Sequence, residues 1–94
     1  MKNQTTMQIE EILENFDFDR VYKVMQHLDW KWDGDEVPNH YQLIRQARKL
    51  LEEAVKYGYN NHHEVSMGGF KATFDNGDLT LEFIVDKYTS YKDN

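Results

Sequence analysis

The residues best suited to metal binding or proton transfer in this 94-residue chain are its four histidines, His27, His40, His62 and His63. A zinc site needs three or four converging ligands, and no two of these histidines have the i, i+4 spacing of a helical zinc-protease motif. The chain has no cysteine, which excludes thiolate ligands and disulfides. We interpret His62–His63 as part of a polar surface loop, and we expect neither a metal ion nor another cofactor.

Nucleophilic catalysis has few candidates, because Ser66 and Ser90 are the only serines and neither lies in a Gly-x-Ser-x-Gly elbow. The Gly68-Gly69-Phe70 run lacks the Gly-Lys-Ser or Gly-Lys-Thr of a phosphate-binding loop. Carboxylates are so numerous that no pair stands out for acid–base chemistry. The sequence therefore predicts a protein that is not an enzyme.

A group of acids surrounds the two tryptophans of the chain. The run Asp33-Gly34-Asp35-Glu36 offers oxygen ligands, but its glycine comes too early for a calcium loop, so a solvated acidic turn is the favoured interpretation. Tryptophan is enriched at binding hot spots, whereas the thin core of a small domain also requires large side chains. Core packing is favoured, and partner binding stays open. The residues expected to contact a partner are Trp30, Trp32, Asp33, Asp35 and Glu36.

Basic residues are concentrated in one segment, the third predicted helix. Arg45 and Lys49 are spaced i, i+4, and so are Arg48 and Glu52. A salt-bridged solvent face is the usual role of such a pattern. The alternative is a nucleic-acid-binding stripe made of Arg45, Arg48, Lys49 and Lys56, although such a stripe normally has more basic charge around it.

Three helices are predicted from the spacing of apolar residues. Residues 5–16 and 18–28 each carry a stripe at i, i+3, i+4, i+7, with Asp17 as the N-cap of the second helix, although one bent helix is an alternative. Thr5 and Gln8 fit a capping box at the start of the first helix.

The third helix is the clearest element of the sequence. It runs from residue 39 or 40 to residue 57, with Asn39 and Gln42 as a second capping box and Gly58 as a C-terminal cap.

The remaining pattern predicts strands. Glu64–Phe74 is expected as one strand with a bulge or kink at Gly68–Gly69, followed by an Asn76–Gly77 turn and an alternating strand over residues 79–85, where Ile84 breaks the alternation. Trp30–Trp32 is a candidate third strand. The expected class is α+β: an N-terminal helix or helix pair, and one long amphipathic helix packed on a small antiparallel sheet.

The length of the chain indicates its number of domains, and its net charge is unevenly distributed along the sequence. A chain of 94 residues forms one domain, and the ends at 1–5 and 88–94 are expected to be flexible. The net charge of −6 is uneven, since residues 1–38 carry −5, residues 39–58 carry +2 and residues 59–94 carry −3. No apolar stretch is long enough to span a membrane and the N-terminus lacks a signal-peptide pattern, so we expect a cytoplasmic protein.

One resemblance covers about residues 12–85. The segments Phe16-Asp-Phe-Asp-Arg-Val-Tyr-Lys-Val-Met25 and Leu28-Asp-Trp-Lys-Trp32 precede Val37-Pro38 and a leucine-rich helix, and Gly68-Gly-Phe-Lys-Ala72 follows. This order resembles small proteins encoded by bacteriophages, prophages and other mobile genetic elements.

The resemblance implies a protein that binds and blocks a host protein, such as an anti-CRISPR or another anti-defence inhibitor. Its acidic surface would occupy a site made for nucleic acid on a defence effector, in the cytoplasm of a bacterial host. Two alternatives stay open. One is a self-associating structural or regulatory protein that forms a homodimer through Ile84 and an exposed sheet edge. The other is a small nucleic-acid-binding accessory protein.

Overall fold

The computed structural model of this protein describes residues 4–32, 34, 36–58 and 62–84. Within these residues three helices precede three strands: α1 (Gln4–Asn15), α2 (Phe18–Leu28), α3 (His40–Gly58), β1 (His63–Met67), β2 (Phe70–Asp75) and β3 (Asp78–Phe83). The predicted α+β class is confirmed, and α1 and α2 are separate helices. The expectation of flexible ends stays a prediction, because residues 1–3 and 85–94 lie outside the described residues.

The sheet is antiparallel, with the strand order β1-β2-β3. The single strand expected over Glu64–Phe74 is wrong: Gly68–Gly69 is a tight turn between β1 and β2, and Met67 pairs directly with Phe70 across it. Both glycines have positive φ, 66° and 97°. Two successive positive φ angles close a two-residue hairpin turn instead of a bulge, and glycine adopts them at little cost.

The third strand of the sheet is β1, not the Trp30–Trp32 segment. The expectation for Trp30–Trp32 is wrong because, within the part of the chain that the structure describes, this segment makes only an isolated antiparallel bridge, between Trp32 and Glu36. The expected Asn76–Gly77 hairpin turn is confirmed, with φ of 54° and 90°.

One core lies between the helices and the inner face of the sheet. Helix α3 packs along β2 and β1, while α1 and α2 pack beside it. The most deeply buried residues come from α2, α3 and β2: Val21, Val24, Met25, Leu43, Ala47, Leu50, Leu51, Ala54, Phe70 and Ala72. Complete burial of a valine, leucine, methionine or phenylalanine side chain contributes roughly 1.5–3 kcal/mol, so this layer is the main source of stability.

Two of the predicted helix caps are confirmed. The Arg20 amide donates to Asp17 Oδ1 over 3.0 Å at the start of α2. At the start of α3, the Asn39 amide donates to Gln42 Oε1 and the Gln42 amide donates to Asn39 Oδ1, each over 2.9 Å. Such side chains satisfy amides that the first helical turn leaves unpaired.

Two other expected caps differ from the structure. Helix α1 begins at Gln4, before Thr5, and the Gln8 side chain donates to the Gly77 carbonyl instead of closing a capping box. Gly58 is the last residue of α3 and lacks the positive φ of a left-handed cap. A Cβ atom on Gly58 would lie 3.0 Å from His63 Cβ and 3.2 Å from the Phe74 carbonyl oxygen. Its role is therefore the close approach of α3 to the sheet.

Candidate partner-binding surface

The candidate surface begins where α2 ends, at Asp29. This residue adopts a left-handed conformation, with φ 54° and ψ 41°, and its amide donates to the Gln26 carbonyl. The next amide, that of Trp30, donates to the Met25 carbonyl over 2.9 Å. This pair of bonds is a Schellman motif, which stops the helix and turns the chain outward at a fixed angle.

The two tryptophans lie half-buried against the hydrophobic core. The Trp32 indole lies on the β1–β2 turn, so that a Cβ atom on Gly68 would lie 2.8 Å from Trp32 Cζ2. The Trp32 Nε1 atom is buried and has no hydrogen-bond partner within the described part of the chain. The structure therefore favours core packing for both side chains, and their role in partner contact stays a prediction.

Residues 29–36 form what we call the acidic loop. The Trp32–Glu36 bridge closes it, which brings Glu36 back beside the strand-like backbone of Trp32. The Glu36 side chain is exposed and makes no ion pair with any described residue, whereas Asp29 lies 3.5 Å from Lys31 Nζ. Asp33 and Asp35 lie outside the described residues, so their part in the site rests on the sequence alone.

The chain that leaves the acidic loop is anchored as firmly as the chain that enters it. Pro38 is fully buried, and the capping box of α3 follows it directly. His40 stacks on Tyr22 of α2, with ring centroids 4.5 Å apart, and its Nε2 lies 3.4 Å from Asp19 Oδ1. Both ends of the loop are thus held by the helical layer.

The Asp19 carboxylate is part of this anchor. Hydrogen bonding and charge from Lys23, with a smaller contribution from His40, lower the pKa of Asp19 below its ordinary value. Asp19 is therefore charged at neutral pH beside the start of α3.

The basic stripe predicted on α3 is reduced in the structure. Arg48 makes a bidentate pair with Glu10 of α1, and this contact raises the pKa of the guanidinium. Arg48 was expected to pair with Glu52, but Glu10 is the hydrogen-bonded partner. Arg45, Lys49 and Lys56 remain exposed on the same helix. Because the Arg48 side chain joins α3 to α1, its charge is already paired and it is a poor member of the predicted nucleic-acid stripe.

A charged network that sequence reasoning missed crosses the outer face of the sheet. His62 Nε2 lies 2.8 Å from Glu64 Oε2, and its Nδ1 lies 3.5 Å from Asp75 Oδ1. Glu64 Oε1 in turn lies 3.2 Å from Lys71 Nζ, which is 4.0 Å from Glu82 Oε1. These contacts raise the pKa of His62, chiefly through Glu64, and lower that of Glu64, chiefly through His62. The available signal is the i, i+2 spacing of His62, just before β1, and Glu64, within β1.

The described residues form no arrangement typical of a metal centre. Across residues 4–32, 34, 36–58 and 62–84, no three acids or histidines converge as metal ligands, and no polar or charged residue is fully buried. A groove of about 310 Å³ separates the α1–α2 corner from β3, and both of its longer charged side chains, Arg20 and Glu82, already interact within the chain. No described helix has the length and apolar character to cross a membrane.

Comparisons with known proteins give no relative for this chain. No protein-family model, no curated protein sequence and no solved structure matches it. The likeness to phage-encoded proteins stays a prediction.

Proposed function

We propose that this protein is a non-catalytic binding protein that uses its acidic loop to occupy a basic surface on another protein. The observation that carries the proposal is the anchored loop itself: Glu36 is exposed and unpaired within the described residues, on a segment fixed by the Schellman motif, the Trp32–Gly68 contact and the buried Pro38. A loop whose two ends are held in place loses less conformational entropy on binding than a loop whose ends are free.

The distribution of charge supports the same proposal. Residues 1–38, which include the loop, carry −5 of the net charge of −6. A concentrated negative field accelerates encounter with a positive surface and repels nucleic acid and other acidic proteins. A host protein whose basic groove normally holds nucleic acid is a partner of fitting chemistry, and binding there would block the groove sterically.

The biological setting follows from the sequence resemblance and belongs to the proposal. We place the protein with the inhibitors that bacteriophages and other mobile genetic elements direct against host proteins, including anti-CRISPR and other anti-defence proteins. In this arrangement Trp30 and Trp32 support the loop from the core and offer their exposed edges to the partner. The charge comes from the four acids of the loop, Asp29, Asp33, Asp35 and Glu36.

The test compares two doubly neutralised variants on an affinity matrix exposed to bacterial lysate. The loop variant carries Asp29→Asn and Glu36→Gln, and asparagine keeps the left-handed conformation that Asp29 adopts. The matched control carries Glu11→Gln and Glu14→Gln, which remove the same charge from exposed positions on α1.

The expected result is a small set of basic proteins that the wild-type chain and the α1 control retain and that the loop variant releases. Retention should weaken as salt rises, since the attraction between exposed charges is screened. Equal retention by the loop variant and the control would contradict the proposal, and so would the absence of any specific protein at low salt.

A further inference from the structure

We infer that the free edge of β1 is a self-association surface, on which a second copy of this chain pairs its own β1 antiparallel to the first. Among the described residues, the strand order leaves one side of β1 unpaired. An unpaired strand presents backbone donors and acceptors that another strand can satisfy. The residues that face this edge fit a second copy in one register.

The register of the sheet defines which backbone groups are free. Met67 and Phe70 close the two-residue turn and therefore exchange backbone hydrogen bonds, as the closing pair of such a hairpin does. Hydrogen-bonded and non-bonded positions alternate along an antiparallel strand. Val65 and His63 consequently bond to β2, whereas the amides and carbonyls of Glu64 and Ser66 point to the free edge.

Large apolar side chains flank this edge. Met67 and Tyr57 are each 59% exposed, and the Tyr57 ring lies 5.6 Å from that of His63. The inward-facing positions of β1, occupied by His63, Val65 and Met67, hold no lysine, arginine or carboxylate. A charged side chain that faces inward on an edge strand commonly prevents pairing with another strand. The inward positions of β1 carry no such charge.

The other edge of the sheet is less accessible. The α1–α2 corner stands beside β3, and Phe16 and Val21 line the groove between them together with Leu81 and Phe83. An incoming strand would have to enter this groove. β1 has no helix at the corresponding position in the described residues, apart from α3 behind it.

Antiparallel pairing about Val65 is self-complementary. It places Glu64 of one copy opposite Ser66 of the other, so that each such pair exchanges both of its backbone hydrogen bonds without opposing like charges. The same register places Met67 opposite His63 of the second copy, where its exposed side chain becomes covered. Glu64 keeps its contacts to His62 and Lys71 on the outer face.

The pairing would join two three-stranded sheets into one and carry two acidic loops on each dimer. Because each chain has a net charge of −6, repulsion opposes the dimer at low salt and screening strengthens it. This salt dependence has the opposite sign to that of the proposed partner binding, which makes the two proposals separable.

Sedimentation equilibrium over about 5–500 μM tests the inference, since dimer formation depends on protomer concentration. The informative variant is Met67→Lys, which places two new charges at the pairing edge. Its matched control is Met7→Lys on α1, where methionine is 60% exposed. We expect a monomer–dimer equilibrium in the wild type and the control, and at least about tenfold weaker association in Met67→Lys.

A second variant, Ser66→Pro, removes an amide that points to the free edge and leaves the bonds between β1 and β2 intact. It should also weaken the dimer, with circular dichroism confirming that the fold is retained. A wild-type monomer at every concentration and salt level would overturn the inference. Equal association constants for Met67→Lys and Met7→Lys would overturn it as well.

Discussion

At the scale of single residues, Gly68 satisfies two demands at once. Its φ of 66° suits the β1–β2 turn, and the Trp32 ring lies where a side chain would begin. Gly77 has a φ of 90° in the other hairpin turn, but no atom of the described residues lies within 4 Å of its Cβ position. Substitution of Gly77 therefore measures backbone strain alone, whereas substitution of Gly68 measures strain together with a steric clash.

We predict that Gly68→Ala lowers the free energy of unfolding by about 2–4 kcal/mol, because strain and displacement of Trp32 combine. Gly77→Ala should lower it by about 1–2 kcal/mol from strain alone. Urea denaturation measures both values. If Gly77→Ala costs as much as Gly68→Ala, Trp32 yields freely and does not fix the acidic loop.

The His62–Glu64 contact gives a second residue-scale prediction, a pH-dependent coupling. The pKa of His62 is raised above its ordinary value of 6.5, so its stabilising contribution is complete below that value and is lost as pH rises through the folded-state pKa. The pKa of Glu64 is lowered below 4.5, so its contribution is present above pH 4.5 and is lost as pH falls. Both groups are charged between these limits.

A double-mutant cycle with His62→Gln and Glu64→Gln should therefore show a favourable coupling at pH 5.5 that disappears at pH 8.5. Thermal unfolding of the four proteins at both pH values provides the measurement. A coupling of equal size at pH 8.5 would mean that the contact does not depend on the protonated imidazole.

At the scale of elements, α3 positions the exit of the acidic loop through its capping box. Asn39→Ala should lower the free energy of unfolding by about 1 kcal/mol, because the Gln42 amide loses its acceptor. Asn39→Asp is the control, since a carboxylate still accepts this bond and suits a helix N-terminus. Equal losses in the two variants would show that the loss does not come from the missing hydrogen-bond acceptor.

Elements with a local cause were predictable from the sequence. The stripe along α3, the Asn39–Gln42 box and the Asn76–Gly77 turn each depend on residues a few positions apart. The bulge expected at Gly68–Gly69 is wrong because a glycine pair suits both a bulge and a turn. Only the pairing of Met67 with Phe70 distinguishes the two.

Contacts between distant segments could not be predicted in the same way. Arg48 pairs with Glu10, 38 positions away, although Glu52 has the favoured helical spacing. Trp32 lies against Gly68 because the loop and the β1–β2 turn meet in three dimensions. The acidic residues of the candidate site were visible in the sequence, whereas their support from Gly68, Pro38 and Tyr22 was not.

At the scale of the whole molecule, the two proposed interactions depend on ionic strength in opposite directions. Raising salt should weaken capture of a basic partner by the acidic loop and strengthen pairing of two negatively charged copies. One salt series therefore separates the two proposed interactions, with partner retention and sedimentation as the two readouts. A common salt dependence would indicate that a single surface serves both.

The most direct measurement of the central claim is a calorimetric titration of the partner captured from lysate with three chains: the wild type, the Asp29→Asn/Glu36→Gln loop variant and the Glu11→Gln/Glu14→Gln control. We predict a dissociation constant at least about tenfold higher for the loop variant, and one within about twofold of the wild type for the control, because only the loop charges meet the basic surface. Equal weakening in both variants would contradict the account, since it would reduce the acidic loop to one part of a diffuse negative surface.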